Sequence, residues 1–462
     1  MKYVLGILGI ATVVLFAARK PDYAVFFLIL IIPFARIPYL TDYVELLRLI
    51  LFSVVSLAWI ILRNTDDLKK FFRGNPMNLY FIVFAVMIAA NLLLVAQPQA
   101  LRFKTAATHI LAFIYFYFFL DFFHQRRRMK ISLYLVIAVS CIVSLIAIAQ
   151  YFVLQYKIDL GPFQRVILPP ILRQQQLTES SQTLVLLGYR SMGTFFHPNM
   201  MGIYVSLVFP VCLALGCTAQ KRWERAFLFG ALLLLLTAAF AADSRGSFLS
   251  IFFTSAVLVT FFWERVPKAA FAAVAVAGAG AAALIHLNNP SYFRFDQILS
   301  YRDIIWSNSF RLFLEHPAAG SGLGTFSQSY FSRFSFPSMN DFYFHMTEIK
   351  LMGSIVPLGG FHAHNLFLQY GVEMGIFAVL WVFLFFGIVF HHFFSRVWRA
   401  MKVLRPLETG AAVGGSVCFA GNFIFSFFEG MTLFYDFSIA MMCALILAAV
   451  FASLLDARGG SA

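Results

Sequence analysis

The chain has 462 residues, of which 61% are hydrophobic and 12% charged, against about 45–50% and about 25% in an ordinary soluble domain. Phe alone occurs 57 times, and 35 basic against 21 acidic side chains give a net charge of +14. Too few polar groups remain to cover a soluble surface, which excludes a soluble globular enzyme, a disordered chain and a single-span receptor.

In chain order, Met1-Lys2 and the apolar run behind it imitate a signal peptide. No small-residue cleavage site precedes Lys20-Pro21, so this is read as a retained span, and residues 3–40 hold one or two crossings. Strong apolar runs follow near 44–62, 78–97, 105–123, 132–155, 199–219, 226–242, 246–263, 269–287, 365–393, 409–428 and 432–454. At about 20 helical residues per crossing, the expectation is an all-α, polytopic transmembrane bundle of about 12 spans. The Ala/Gly-rich stretch 269–283 reads as a helix packed tightly through small residues. The cysteines (Cys141, Cys212, Cys217, Cys418, Cys443) all fall inside apolar runs, so neither a disulfide framework nor a thiolate metal site is signalled.

The basic residues cluster between spans, at Arg63/Lys69/Lys70/Arg73, Arg126/Arg127/Arg128/Lys130, Lys221/Arg222/Arg225, Arg265/Lys268 and Arg396/Arg399/Lys402/Arg405. Each successive pair of clusters is separated by two apolar runs, so all five fit one cytoplasmic side. This pattern sets aside nucleic-acid binding and puts the loops near 156–198 and 288–364 outside, with the C-terminus cytoplasmic. The domain expectation is transmembrane helices over 1–287, a large external loop over 288–364 and C-terminal helices over 365–462. The second loop, about 75 residues, far exceeds the 12–15 of a plain connection. Its aromatic and polar residues alternate as in short interfacial helices, and a loop of this size is expected to cap a cavity.

Polar residues at the external boundary are few. They include Arg190, Arg245, Arg302, Arg311, His362, His364 and Glu373, with Glu429 and Asp436 flanking the last external turn. Snorkelling to the headgroups explains any one arginine. Several on one face suit a diphosphate, because planar guanidinium groups hold phosphate oxygens bidentately. His362 and His364, with His345 upstream and Glu373 downstream, invite a zinc reading, but no thiolate or obvious carboxylate completes it. A neutral imidazole acting as general base fits better. Gly320-x-Gly322-x-Gly324 lacks the lysine of a phosphate loop and reads as a tight turn after Pro317.

The run Arg190-Ser-Met-Gly193-Thr-Phe-Phe-His-Pro198-Asn199 resembles the pattern opening the central span of the O-antigen ligase and polymerase superfamily. Arg245-Gly-Ser-Phe-Leu249 resembles that family's arginine motif, and Arg302 to Phe326 its large periplasmic loop. His364-Asn365, nine residues and Gly375 resemble its histidine motif, with Ala378 departing from the usual last position.

The resemblance implies a GT-C-like glycosyltransferase of the bacterial inner membrane, acting in lipopolysaccharide biosynthesis with its active site facing the periplasm. It would move a glycan from undecaprenyl pyrophosphate to an acceptor hydroxyl on lipid A-core, without metal or other cofactor and with inversion. His364 would be the base. Arg190 and Arg245, with Arg302 and Arg311, would bind the pyrophosphate, and Asn199, His362, Asn365 and Glu373 would support them. The sibling reading is a polymerase joining lipid-linked repeat units. A protein O-glycosyltransferase would carry a longer C-terminal region than the few residues after the last span. A lipid-sugar flippase would place ionisable groups at mid-bilayer depth in paired halves, and neither feature is seen.

Overall fold

The computed structural model describes residues 21–34, 41–62, 75, 77–95, 100–156, 158, 161, 190–195, 197–262, 264, 276, 280, 283, 302–334, 362–401, 403–430 and 432–459. Among these, helices are α1 (Pro21–Ile31), α2 (Thr41–Leu62), α3 (Met77–Leu94), α4 (Ala100–Phe122) and α5 (Arg126–Gln155). They continue as α6 (Pro198–Thr218), α7 (Arg222–Ala242), α8 (Arg245–Phe261), α9 (Arg302–Glu315), α10 (Phe326–Phe331), α11 (Leu366–Met374) and α12 (Ile376–His392). A π-helical turn at Phe393–Val397 leads towards α13 (Pro406–Phe425) and α14 (Phe437–Gly459). No strand occurs among the described residues.

α6 is apolar on every face, and every one of its residues is buried, as expected of a helix at the centre of a bundle. α3, by contrast, turns Leu79, Ile82, Val86 and Leu93 outward, a surface suited to lipid. Lipid tails are as apolar as Leu, so close approach rather than a hydrophobic drive must hold such helices together. α13 supplies it with glycine. A Cβ on Gly410 or Gly414 would lie 2.6 Å from Thr218 Oγ1 or 2.8 Å from Ala214 Cβ of α6, and one on Gly415 2.5 Å from Val450 of α14.

Among the described residues, seven helical stretches are long and apolar enough to cross a membrane: Met77–Leu94, Arg102–Phe122, Arg126–Gln155, Pro198–Thr218, Arg222–Ala242, Ile376–Ala400 and Phe437–Leu454. Asp22–Ile31, Arg48–Ile61 and Arg245–Phe261 are shorter apolar helices. The expected span at 269–287 and most of the loop near 156–198 lie outside the described residues.

The run expected as one span over 365–393 is instead two helices, broken at Gly375. Gly375 has φ +78°, and a Cβ there would sit 2.3 Å from the Ala318 carbonyl oxygen. The loop after α9 presses in at the break, and Pro317 O accepts the Ile376 N–H at 2.8 Å. Hydropathy alone does not reveal this interruption, since both sides of it are apolar.

The two ends of the bundle differ. At one end the first turn of α5 makes three cross-helix ion pairs: Arg126 Nε to Glu408 Oε1 at 2.7 Å, Arg128 Nη2 to Asp22 Oδ1 at 2.7 Å and Lys130 Nζ to Glu224 Oε1 at 2.8 Å. Each acid lies in the first turn of its helix, where the helix dipole favours negative charge. The sequence motifs gather at the other end.

Candidate active site

Five segments meet at that second end: residues 190–195 and 197 with the start of α6, the turn between α7 and α8, the start of α9, the approach to α11 and the turn between α13 and α14. Arg190 Nε donates to Ala242 O at 3.1 Å, capping the end of α7, and its Nη2 donates to Asn199 Oδ1 at 2.8 Å. Arg245 opens α8 three residues beyond that carbonyl. Asn199 Nδ2 in turn donates to Glu429 Oε2 at 2.7 Å.

Glu429 is the hub, with only 1% of its surface exposed. Oε1 accepts from Gly430 N at 2.9 Å and lies 3.0 Å from His362 Nδ1, while Oε2 lies 3.6 Å from His364 Nδ1. Burial opposes its charge, but His362 and His364 outweigh that and hold its carboxyl well below the usual carboxylate range. Sequence reasoning placed Glu429 only at the rim of a turn. Its only signal is that, with Asp436, it is one of two acids flanking the last external turn.

His364 adopts a left-handed backbone, φ +48°, a conformation costing a non-glycine residue of order 1–3 kcal/mol. Three contacts hold it there. Its N–H donates to His362 Nδ1 at 3.2 Å, its carbonyl accepts from Trp306 Nε1 at 3.3 Å, and Asn365 behind it caps α11 by accepting from Leu368 N at 3.0 Å. Leu366 N to Ser426 O at 2.8 Å and Asn365 Nδ2 to Phe427 O at 3.2 Å tie this turn to the segment carrying Glu429. Burial, the neighbouring His362 and Arg302 push the His364 imidazole down to about 3, against the pull of Glu429. The ring is therefore neutral at physiological pH.

Arg302, first residue of α9, is close enough to act on His364. Arg311 is exposed nine residues further along the same helix, which is about 13 Å up the axis and on the opposite face. Glu373 belongs to a separate clamp. Its carboxylate accepts from Gly324 N at 2.7 Å, Phe326 N at 3.1 Å and Gln369 Nε2 at 2.8 Å, and also from the Tyr435 hydroxyl. The glycine run thus wraps a carboxylate of its own chain. Gln369 Oε1 takes the Ala363 N–H at 2.8 Å, which links the clamp to the histidine turn.

His362, His364 and Glu429 offer three ligand atoms within 4.8 Å of one another, a donor set that zinc accepts. The tertiary structure thereby supplies the carboxylate that the spacing of the histidines lacks. Asn199 and Gly430 already point N–H groups at both Glu429 oxygens, however, and a metal ion would compete with those donors.

Residues 199–383 match a family model described as O-antigen ligase. That stretch contains Asn199, Arg245, Arg302, Arg311, His362, His364, Asn365 and Glu373, and leaves Arg190, His197 and Glu429 outside. No curated protein matches the chain. The family's activity is that of an O-antigen ligase or polymerase, working on lipid-linked glycans at a membrane.

Proposed function

We propose that this chain, a member of the O-antigen ligase and polymerase superfamily, is a ligase-type glycosyltransferase. It moves a glycan from undecaprenyl diphosphate to an acceptor hydroxyl on lipid A-core at the periplasmic face of the bacterial inner membrane. One observation carries the reading. Hydrogen bonds run from the Arg190 guanidinium through Asn199 to Glu429, whose Oε2 lies 3.6 Å from His364 Nδ1, at the end of the bundle opposite the basic ion pairs.

The chemistry follows from those positions. Glu429, ionised, favours a proton on His364 Nδ1 and so leaves the lone pair on Nε2 as the base. Nε2 takes the proton of the acceptor hydroxyl as its oxygen attacks the anomeric carbon. The bond from that carbon to the phosphate oxygen breaks, and undecaprenyl diphosphate leaves with the bonding pair. Arg190, Arg245 and Arg302 stabilise the charge that builds on the departing diphosphate, in fixed positions that need no reorganisation. Arg311, exposed on the far face of α9, would serve at the entry to this cradle. A single displacement inverts the anomeric configuration.

The test is reconstitution of the purified protein with an undecaprenyl-diphosphate glycan and lipid A-core. New glycolipid of inverted configuration, formed equally well in the presence of EDTA, is the expected result. Longer lipid-linked glycan would make it a polymerase, and no covalent product would overturn the enzymatic reading.

A further inference from the structure

His197 takes no part in the transfer as written, yet it stands inside the same cluster. It is the N-cap of α6, with extended backbone (φ −146°, ψ 146°), and its Nδ1 accepts the Asn199 N–H at 3.1 Å. The next two N–H groups, of Met200 and Met201, reach the His197 carbonyl at 3.0 and 3.4 Å, and Pro198 has none to offer. The helix start is therefore satisfied and forms no anion site by itself.

The cap fixes a tautomer. With its Nδ1 lone pair committed to the Asn199 N–H, a neutral ring carries its proton on Nε2. Among the described residues nothing accepts from that Nε2–H. Burial and the adjacent Arg190 hold the imidazole well below its usual range, with His362 and His364 adding to the effect and Glu429 opposing it. The ring thus offers one neutral, oriented N–H beside a guanidinium, without adding a charge that would repel it. The residue it caps against, Asn199, bonds both Arg190 and Glu429.

We propose that His197 is a donor-binding residue whose Nε2–H hydrogen-bonds a non-bridging oxygen of the diphosphate held by Arg190. This deepens the function proposed above and rests on it. His197 is no second base, because protonating Nδ1 would break the cap of α6. Nor does it need to act as an acid, since a diphosphate leaves as an anion.

The two roles of the ring separate by mutation. His197→Asn and His197→Ser retain a cap acceptor but lack the reach of Nε2. Both should melt with the wild type, while His197→Ala melts lower. With inorganic pyrophosphate as competing probe, Asn and Ser variants should bind about 10- to 100-fold more weakly, the usual worth of a hydrogen bond to a charged group. KM for the lipid donor should rise similarly and KM for the acceptor stay unchanged. Wild-type pyrophosphate affinity in both capped variants would overturn the proposal. Arg190→Gln is the control: if pyrophosphate affinity survives that change too, the cationic cradle itself is wrong.

Histidine-selective 15N NMR of the unmutated protein, assigned by difference against His197→Asn, tests the same point without relying on variant stability. A protonated Nε2 whose resonance shifts on adding pyrophosphate is expected. An Nδ1–H tautomer, or no shift, would overturn the proposal.

Discussion

Glu429 and Glu373 are both 1% exposed and lie in adjoining parts of the same end of the bundle, yet their surroundings are opposite in kind. Glu373 is enclosed by the Gly324 and Phe326 N–H groups, the Gln369 amide and the Tyr435 hydroxyl, all partners that hold one shape. Glu429 meets one backbone N–H and then three side chains, Asn199, His362 and His364. The Glu373 carboxyl, enclosed by two backbone N–H groups, an amide and a phenol, ties a loop to its helix. The Glu429 carboxyl instead faces two imidazoles and an amide that is itself bonded to an arginine. Burial alone does not separate these roles, whereas the chemistry of the partners does.

The largest effect that would sharpen this contrast is expected at His364. Removing a general base costs about 10²- to 10⁴-fold in rate, so His364→Ala should abolish measurable transfer while membrane insertion and Tm remain those of the wild type. Near-normal turnover would remove the base assignment. Glu429→Gln comes next, with a loss of about 10-fold or more in kcat at little change in fold, because the amide no longer favours a proton on Nδ1 of His364. If that variant instead misfolds and turns over normally per folded molecule, Glu429 is a clamp like Glu373 and the contrast fails.

The pH profile is a further way to break it. The proposed base is the neutral His364 ring, which burial holds at about 3 rather than 6.5. On its account kcat/KM should stay level from about pH 8 down to about pH 5. Glu429 pulls the His364 value upward, so Glu429→Gln should move any acid limb lower, never higher. An inflection near the ordinary histidine value, matched by titration of the His364 ring itself in histidine-selective 15N NMR, would contradict the buried, neutral ring.

Glu373→Gln should reverse the pattern. An amide nitrogen turned towards Gly324 N or Phe326 N leaves a buried donor unmatched, at about 1–3 kcal/mol. The expectation is a lower Tm with kcat preserved in the folded fraction. The smallest effect on transfer belongs to the far end of the molecule. In the Arg126–Glu408 pair the arginine is 41% exposed but the acid only 3%, so Arg126→Gln leaves a buried acid without its cation and should lower Tm while leaving transfer untouched.

Much of this was legible in the residues. Apolar runs correspond to helices because a bilayer-length hydrophobic stretch must satisfy its backbone internally, and the runs at 132–155, 199–219 and 226–242 overlie α5, α6 and α7. Motif order pointed to the superfamily before any geometry was known. The break at Gly375 is not legible there, because φ +78° and the approach of Ala318 are invisible to hydropathy. Nor is a task for His197, since a cap and a tautomer are properties of three-dimensional contact.

Local pattern and residue chemistry suffice to specify a helical membrane protein with its arginine and histidine motifs in family order. That Glu429 joins them follows from folding alone. Its bond to Asn199 spans 230 positions in the chain, and no periodicity or spacing encodes a contact made by folding two distant turns against each other.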